Sequence, residues 1–495
     1  MPKSIYSDQF NRKKAKNQPV IVKPTALVQQ TGLARHHARD LGLNHGAHPA
    51  VRLAGLALAL VPGAGLALHA APAQAQAEAQ AEPQPGAPVD PFEIAPAGPL
   101  MRNDVAGARR IPGYAPVGLD FGALHLDPSL TLAGQATTNA FARAAGRARG
   151  DSWATLTPAL SATGTAGPAR YGVEASATFA RHAHLPGLDS ETGSLALKAG
   201  IPLTGRLALG LSGALARRLE PPFSAAGASA TDGSAVLVDK LQAGLSARAD
   251  LGLTRLTAGL ELARAHYLPI VPASGLAPVP QGFRDDRVIA AALRVERSLG
   301  GGKVLFAQGA YRRVRALHPG IAPDRTARAG EALVGLRGEF SHLVMGELAA
   351  GFQWRSYRSP ALRDWRGAAW RARVEWYATP LVTLTLAARR DFANSPLPAA
   401  AGVSVDTFSL AAHYELRRNL NLTLSAARAV ERYRDLAGAT PTVRSTSAGL
   451  EADYATSRHL RIGLTARYRD RRSASPLLPR QGHAVEGGMS LRFAL

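Results

Sequence analysis

Residues 419–434 read NLNLTLSAARAVERYR, and their first eight positions alternate between polar and apolar side chains with almost no break. A period of two puts every apolar side chain on one face of an extended strand, whereas a helix would distribute them around its circumference. We therefore expect Leu420, Leu422 and Leu424 to share one face, with the polar residues between them on the other. The charged end, 431–434, is expected to emerge at a surface beyond the apolar layer.

The same alternation recurs from about residue 117 to the end of the chain. In KLQAGLSARAD (240–250) the odd positions are apolar, and the even positions are polar or glycine. WRARVEWY (370–377) and LRIGLTARYR (460–469) divide in the same way. Each segment is long enough for one strand with one apolar face and one polar face.

The connections between these segments alternate in length. The short ones are 203–206, 298–303, 340–342, 378–380, 417–419 and 455–459, and the long ones are 138–152, 221–235, 268–286, 317–325 and 393–403. Short turns at one end and long loops at the other are typical of a bacterial outer-membrane barrel. We therefore predict an all-β fold, an antiparallel transmembrane β-barrel of about 18 strands (range 16–18), from 124–137 to 483–495.

A closed barrel also gives every backbone N–H and C=O group of its strands a hydrogen-bond partner. A sheet that crosses a membrane must close on itself, because lipid offers no partner for an unpaired N–H or C=O. The alternative is a soluble β-sandwich or propeller, which needs a thick core, but only 6% of the residues are aromatic. No stretch of the barrel region has 18 consecutive apolar residues, so spanning helices are not expected there.

The N-terminal region predicts export. Arg52 precedes the apolar run LAGLALALVPGAGLAL (53–68), and small residues follow it up to Ala75. This order is typical of a signal peptide, with cleavage after Ala75, although an uncleaved anchor is the alternative. We assign 1–75 to the signal peptide with a long n-region, 76–116 to a flexible periplasmic segment and 117–495 to the barrel. An even strand number then places both termini in the periplasm.

Composition excludes several kinds of chemistry. The chain has no cysteine, which excludes disulfides and thiolate sites, and no paired histidine motif for a metal. His266, His342, His413 and His459 have no serine or aspartate motif beside them, so we predict neither an enzyme nor a cofactor. The net charge of +22 would suit nucleic acid, but an exported barrel does not meet it as its main partner. The arginine excess reflects either codon usage in a GC-rich genome or a basic surface for an anionic partner.

The polar faces of the strands supply the residues expected to line a pore. These are Lys240, Arg248, Arg294, Arg337, Arg355, Arg371, Arg373, Glu375, Arg389, Arg461, Arg467 and Arg469. One hypothesis is a charged wall that guides an anionic saccharide. The other is that most of these side chains form cross-strand ion pairs that fill a narrow lumen, with an arginine excess left somewhere in it.

Aromatic residues and the C-terminus fit the same architecture. Trp354, Trp370, Trp376, Tyr377, Tyr414, Tyr454 and Tyr468 lie near segment ends, where aromatic girdles or ordinary strand aromatics are both expected. The chain ends GGMSLRFAL, which puts Met489, Leu491, Phe493 and Leu495 on one face of a last strand.

Four stretches carry a resemblance to a known family. They are GLDFGALHLDPSLTLAGQATTNAF (118–141), DSWATLTPALSAT (151–163), EWYATPLVTLTLAARRDF (375–392) and HYELRRNLNLTLSAARAVERYRD (413–435). Together they make the chain resemble the outer-membrane β-barrel porins associated with exopolysaccharide biosynthesis and export loci. The family's acidic turn after the first strand pair is replaced by TTNAF (137–141), so no role of those acids carries over.

The resemblance implies an outer-membrane channel of a Gram-negative bacterium, a passive conduit in exopolysaccharide export. A general diffusion porin and a structural or surface-binding barrel are the alternatives. The partners implied are outer-membrane lipid, an anionic polysaccharide, periplasmic export components and, during biogenesis, the barrel assembly machinery.

Overall fold

The computed structural model describes residues 105–106, 111, 113–220, 223, 236–271, 277–320, 322–398, 400–435, 440–473 and 482–495. The expected signal peptide lies outside the described residues, and so does most of 76–116. Among the residues described, helical structure is limited to two 3₁₀ turns, Pro186–Leu188 and Gly282–Arg284. No helix in this part of the chain is long and apolar enough to cross a membrane.

The described residues contain nineteen strands. Their bounds are β1 (Leu119–Phe121), β2 (Leu124–Thr137), β3 (Asp151–Ala166), β4 (Ala169–His182), β5 (Ser190–Pro202), β6 (Leu207–Leu219), β7 (Leu237–Leu251), β8 (Thr254–Tyr267), β9 (Asp286–Gly300), β10 (Lys303–Ala316), β11 (Ala327–Ser341), β12 (Val344–Tyr357), β13 (Trp365–Thr379), β14 (Val382–Asn394), β15 (Ala400–Arg417), β16 (Leu420–Asp435), β17 (Thr442–Ala455), β18 (Leu460–Ser473) and β19 (Gly482–Ala494).

The strands β2 to β19 form a closed antiparallel barrel. Each pairs with the next along the chain, and β19 pairs back onto β2, for example through Leu491 opposite Leu132. The short strand β1 pairs with the start of β2 only. The predicted all-β barrel of 18 strands is therefore confirmed.

Turns and loops alternate as predicted. Even-numbered strands from β4 to β18 follow short turns, which are 167–168, 203–206, 252–253, 301–302, 342–343, 380–381, 418–419 and 456–459. The other ends carry the longer loops, although 151–152, 393–394 and 400–403, expected as loop, belong to strands because their ladders continue. Both ends of the barrel chain lie at the short-turn end, where the Gly118 N–H donates to the Leu495 carbonyl oxygen over 2.8 Å.

Alternating faces follow the sequence pattern. Leu424 on β16, Leu450 on β17 and Leu464 on β18 are 59%, 51% and 54% exposed, all on the outer face. The prediction for the charged end of 419–434 is wrong for Glu431, which is only 1% exposed. On β16 the even-numbered residues face outward and the odd-numbered residues face inward. Because the strand continues through this end, Glu431 points into the barrel.

Aromatic side chains form an outward band at each end. Near the short turns, Trp376, Tyr414, Tyr454 and Phe493 are exposed on β13, β15, β17 and β19. Near the long loops the outward aromatics include Tyr311, Trp354, Trp370, Phe408 and Tyr468. Tyr377 belongs to neither band and is the ordinary strand aromatic that the sequence also allowed, because its side chain is buried on the inward face, where its hydroxyl donates to Glu375.

The barrel strands are longer than a membrane requires. They contain 13 to 18 residues, whereas a tilted strand crosses the hydrocarbon layer in about 9–11 residues. The ends of the strands therefore extend beyond the lipid, where either face of the sheet can carry charged side chains.

Candidate functional site: the barrel lumen

All twelve residues expected to line a pore lie on the inward face. On each of their strands, the exposed apolar side chains occupy every second position, and these twelve residues occupy the positions between them. Inward contacts also join strands that are not neighbours. Arg294 on β9 donates to Glu347 on β12 over 2.9 Å, and Asn394 on β14 donates to Asp286 on β9 over 2.7 Å. Such contacts reach across the interior of the barrel.

A buried charged network lies on the lumen wall, on β9 to β12. The Arg294 guanidinium donates to Glu296 and to Glu347, both over 2.9 Å, and stacks on the Phe306 ring at 3.8 Å. Arg337 donates to the same Glu296 over 3.2 Å. Because each buried charge has an opposite charge in contact, this network stiffens the wall and leaves little charge free for a solute.

A second set of inward arginines is more accessible. We call Arg371 and Arg373 on β13 and Arg389 on β14 the inward arginine patch. Arg373 is 39% exposed and pairs over 3.0 Å with Glu375, which is 6% exposed. Arg389 is likewise 39% exposed and lies 2.9 Å from Asp391, which is 14% exposed. The guanidinium groups therefore cover the carboxylates and are the charges that face the lumen.

Arg371 lies directly opposite Arg389 in the ladder between β13 and β14. It also contacts Glu331 on β11 over 3.4 Å. The patch therefore brings three guanidinium groups onto adjacent strands, and each is more exposed than the carboxylate with which it pairs.

The remaining predicted residues are distributed around the lumen. Arg248 contacts Asp250 at 3.4 Å, Arg461 donates to Asp453 over 3.2 Å and Arg469 contacts Glu486 at 3.4 Å. The other three, Lys240, Arg355 and Arg467, also face inward, and Arg355 donates to Asn394 over 2.6 Å. The twelve residues therefore form a wall and do not converge on one centre.

At the long-loop end, the loops cross the mouth of the barrel. Arg325, just before β11, donates to the backbone oxygens of Ser395 and Ala400, which flank the loop between β14 and β15. Burial lowers the pKa of Arg325 to about 10, so it stays charged at neutral pH. Arg284, before β9, forms a bidentate pair with Glu220 after β6, at 2.6 and 2.9 Å.

Arg471 on β18 forms the most buried of these mouth contacts. It donates to the two carboxylate oxygens of Glu431 over 2.7 and 2.8 Å, and both side chains are 1% exposed. It also donates to the Phe223 carbonyl oxygen in the loop between β6 and β7, over 3.1 Å. This loop therefore reaches across the mouth to β18, the strand next to the closing pair β19 and β2.

At the short-turn end, the segment before the barrel enters the lumen. Ala106 is buried, and its N–H donates to the inward Thr383 hydroxyl on β14 over 3.1 Å. Ile111 and Tyr114 lie beside Asn421 and Arg461 near the same end. Part of the lumen at this end is therefore filled by the chain itself.

Sequence reasoning missed Arg325, Glu431 and Arg471. The signal for Arg471 was present, because it continues the odd, inward parity of Arg461, Arg467 and Arg469. Loop contacts such as that of Arg325 leave no period in the sequence. Over the described residues, no cluster of His, Asp and Glu side chains could hold a metal ion.

The comparison with protein families agrees with the barrel. The family model described as "Putative beta-barrel porin 2" matches residues 111–493. Among solved structures, the chain is similar to the outer membrane protein opdK from Pseudomonas aeruginosa, with 11% identity, 75% of this chain and 98% of that chain covered, and a TM-score of 0.42.

A second similar structure is the siderophore receptor PiuA from Acinetobacter baumannii, at 9% identity, 76% and 82% coverage and a TM-score of 0.42. A third is OccAB3 from the same organism, at 11% identity, 75% and 99% coverage and a TM-score of 0.40. A search of curated proteins found no match.

Proposed function

Because the chain belongs to the beta-barrel porin family whose model covers residues 111–493, and is thus an outer-membrane porin, we propose that its lumen conducts anions, with an acidic exopolysaccharide as cargo. In this proposal the long loops lie on the extracellular side of the membrane and both termini lie in the periplasm. Periplasmic export components would then meet the short-turn end.

The observation that carries the proposal is the inward arginine patch. Its guanidinium groups are the accessible partners of their ion pairs, with Arg373 39% and Glu375 6% exposed. A solute in the lumen therefore meets positive charge first, although each arginine has a carboxylate beneath it. Guanidinium groups bind carboxylates in a planar, bidentate geometry, so a uronic acid or similar group can exchange with the underlying acid.

A general diffusion porin for small solutes is the second candidate. It is favoured by the contacts of Arg325 and Arg471, which bring loops across the mouth, and by the position of Ala106 in the lumen. These features narrow the path at both ends. A polymer would need them to move apart, whereas a small solute would not.

The test is conductance of the refolded full-length protein in a planar bilayer under a salt gradient. We expect a reversal potential of the sign that indicates anion preference. In R373Q/R389Q this preference should fall, because two accessible positive charges leave the lumen. The matched control is R428Q/R444Q, which removes two charges from the exposed outer face of β16 and β17 and should leave the reversal potential unchanged.

Cation preference in the wild type, or equal effects of the two double variants, would contradict the proposal. Acidic oligosaccharides separate the two candidates, because they should block the current in a polysaccharide conduit and have no effect on a general porin. Normal polymer secretion by a deletion strain would refute the export role and leave the anion channel standing.

A further inference from the structure

The outer face of the barrel carries five arginines at the long-loop end of four successive strands. They are Arg264 on β8, Arg287 on β9, Arg313 and Arg315 on β10, and Arg328 on β11, which we call the outward arginine cluster. All five are exposed, and they share the parity of the exposed apolar side chains on their strands. They therefore lie outside the lumen and take no part in the proposed channel.

The strand register places these like charges against one another. Arg264 lies opposite Arg287, Arg287 opposite Arg315, and Arg313 opposite Arg328. Like charges directly opposite on neighbouring strands destabilise a sheet. In the described part of the chain, none of the five forms a hydrogen bond or ion pair through its side chain. The cluster is thus a repulsive arrangement that the protein itself does not neutralise.

The nearest outward acids are already occupied. Asp239 on β7 accepts two hydrogen bonds from Arg217, at 2.6 and 2.7 Å. Asp285, just before β9, is buried and bonds His266 at 2.8 Å. Neither carboxylate is therefore available to balance the outward arginine cluster.

Another part of the outer face, on β14 to β16, shows how such arginines are neutralised. There, outward Asp406 on β15 accepts hydrogen bonds from Arg390 on β14 and Arg432 on β16, both over 2.5 Å. The acid on β15 thus stands between the arginines of its two neighbouring strands. On β8 to β11 the corresponding acid is absent among the described residues, which points to a negative group from outside the chain.

The position of the cluster indicates where that group resides. Ile289 lies two residues beyond Arg287 on the same face of β9, and Tyr311 lies two residues before Arg313 on β10; both are exposed. The arginines therefore begin where the outward apolar and aromatic band ends. This is the depth of lipid headgroups, where basic side chains attract anionic lipid.

We propose that the outward arginine cluster binds the phosphate groups of a phosphorylated lipid in the leaflet beside the long loops. Guanidinium groups match phosphate oxygens bidentately. With strands about 4.8 Å apart, the cluster spans about 14 Å, enough for more than one phosphate. The bound phosphates remove the repulsion between the opposed arginines.

The test uses full-length protein refolded in detergent micelles and titrated with diphosphoryl lipid A. Binding is followed by native mass spectrometry and by the lipid-dependent rise in unfolding temperature. The variant R287Q/R313Q should bind about tenfold more weakly, because two phosphate contacts are lost. The control R297Q/K303Q removes two exposed charges from the same face of the same strands at the short-turn end, and it should bind like the wild type.

Unchanged binding by R287Q/R313Q, or equal weakening in both variants, would overturn the proposal. Displacement of the lipid by millimolar inorganic phosphate would also overturn it, in favour of a small-anion site. Heat-modifiable electrophoretic mobility reports folding of each variant. R264Q/R315Q removes two of the other three arginines and should repeat the loss of binding.

Discussion

Replacing Arg471 by methionine should test whether the mouth of the barrel depends on one buried ion pair. Arg471 and Glu431 are both 1% exposed and are joined by two hydrogen bonds of 2.7 and 2.8 Å. In R471M, Glu431 keeps only the hydroxyl of Tyr433, which donates over 2.8 Å. A buried charge stripped of its partner costs about 3–5 kcal/mol of unfolding free energy.

The companion variants divide that cost into its parts. In E431Q/R471M neither charge remains, so we expect a free energy of unfolding within about 1–2 kcal/mol of the wild type. The coupling energy from the double-mutant cycle should then be about 2–4 kcal/mol. R471K keeps the charge but loses the bidentate geometry, and it should fall between wild type and R471M.

The assay is urea unfolding of barrels refolded into phospholipid vesicles, followed by tryptophan fluorescence. Equal slopes against urea would show that the same surface is exposed in each variant. A cost below about 1 kcal/mol for R471M, or a double variant as unstable as R471M, would refute the reasoning.

Loss of the hydrogen bond from Arg471 to the Phe223 carbonyl oxygen should also raise current noise in bilayers, because the loop between β6 and β7 is released.

Two further predictions concern the outer face. D406N should lower the free energy of unfolding in the same assay by about 1–2 kcal/mol, because a buried carboxylate joined to two partly exposed arginines becomes neutral. No change would mean that solvent around the two arginines already screens these ion pairs. G330A should cost about 1 kcal/mol and shift the tryptophan emission, because a Cβ there would lie 2.5 Å from Nε1 of Trp354. G213A, where a Cβ would meet nothing within 4 Å, is its control, and equal effects would rule out the proposed collision.

The barrel itself was predictable because membrane burial imposes a strict period on the sequence. The alternation in 240–250 gave the inward parity of Lys240 and Arg248, and the alternating turn lengths gave the strand order. Closure follows from the need to pair every backbone group. These rules act on each segment separately, so no alignment was needed to apply them.

The charged ends of the strands were less predictable, for a related reason. Alternation assigns polar side chains to the lumen only while the other face is in lipid, and these strands extend beyond it. Arg287 and Arg328 therefore face outward, although the sequence led us to expect the arginine excess in the lumen. Glu431 was misplaced because its strand continues past the apolar layer. The contacts of Arg325 depend on loops that meet only after folding.

The hydrogen bond between Gly118 and Leu495 makes the two ends of the barrel chain neighbours. A few linking residues could therefore join them, and the chain could be opened instead at another short turn, such as 342–343. Such a circular permutant would begin with β12 and end with β11, yet contain the same neighbouring pairs. The barrel is in this sense a ring without a preferred starting strand, and the pairing that closes it can fall between any two neighbouring strands.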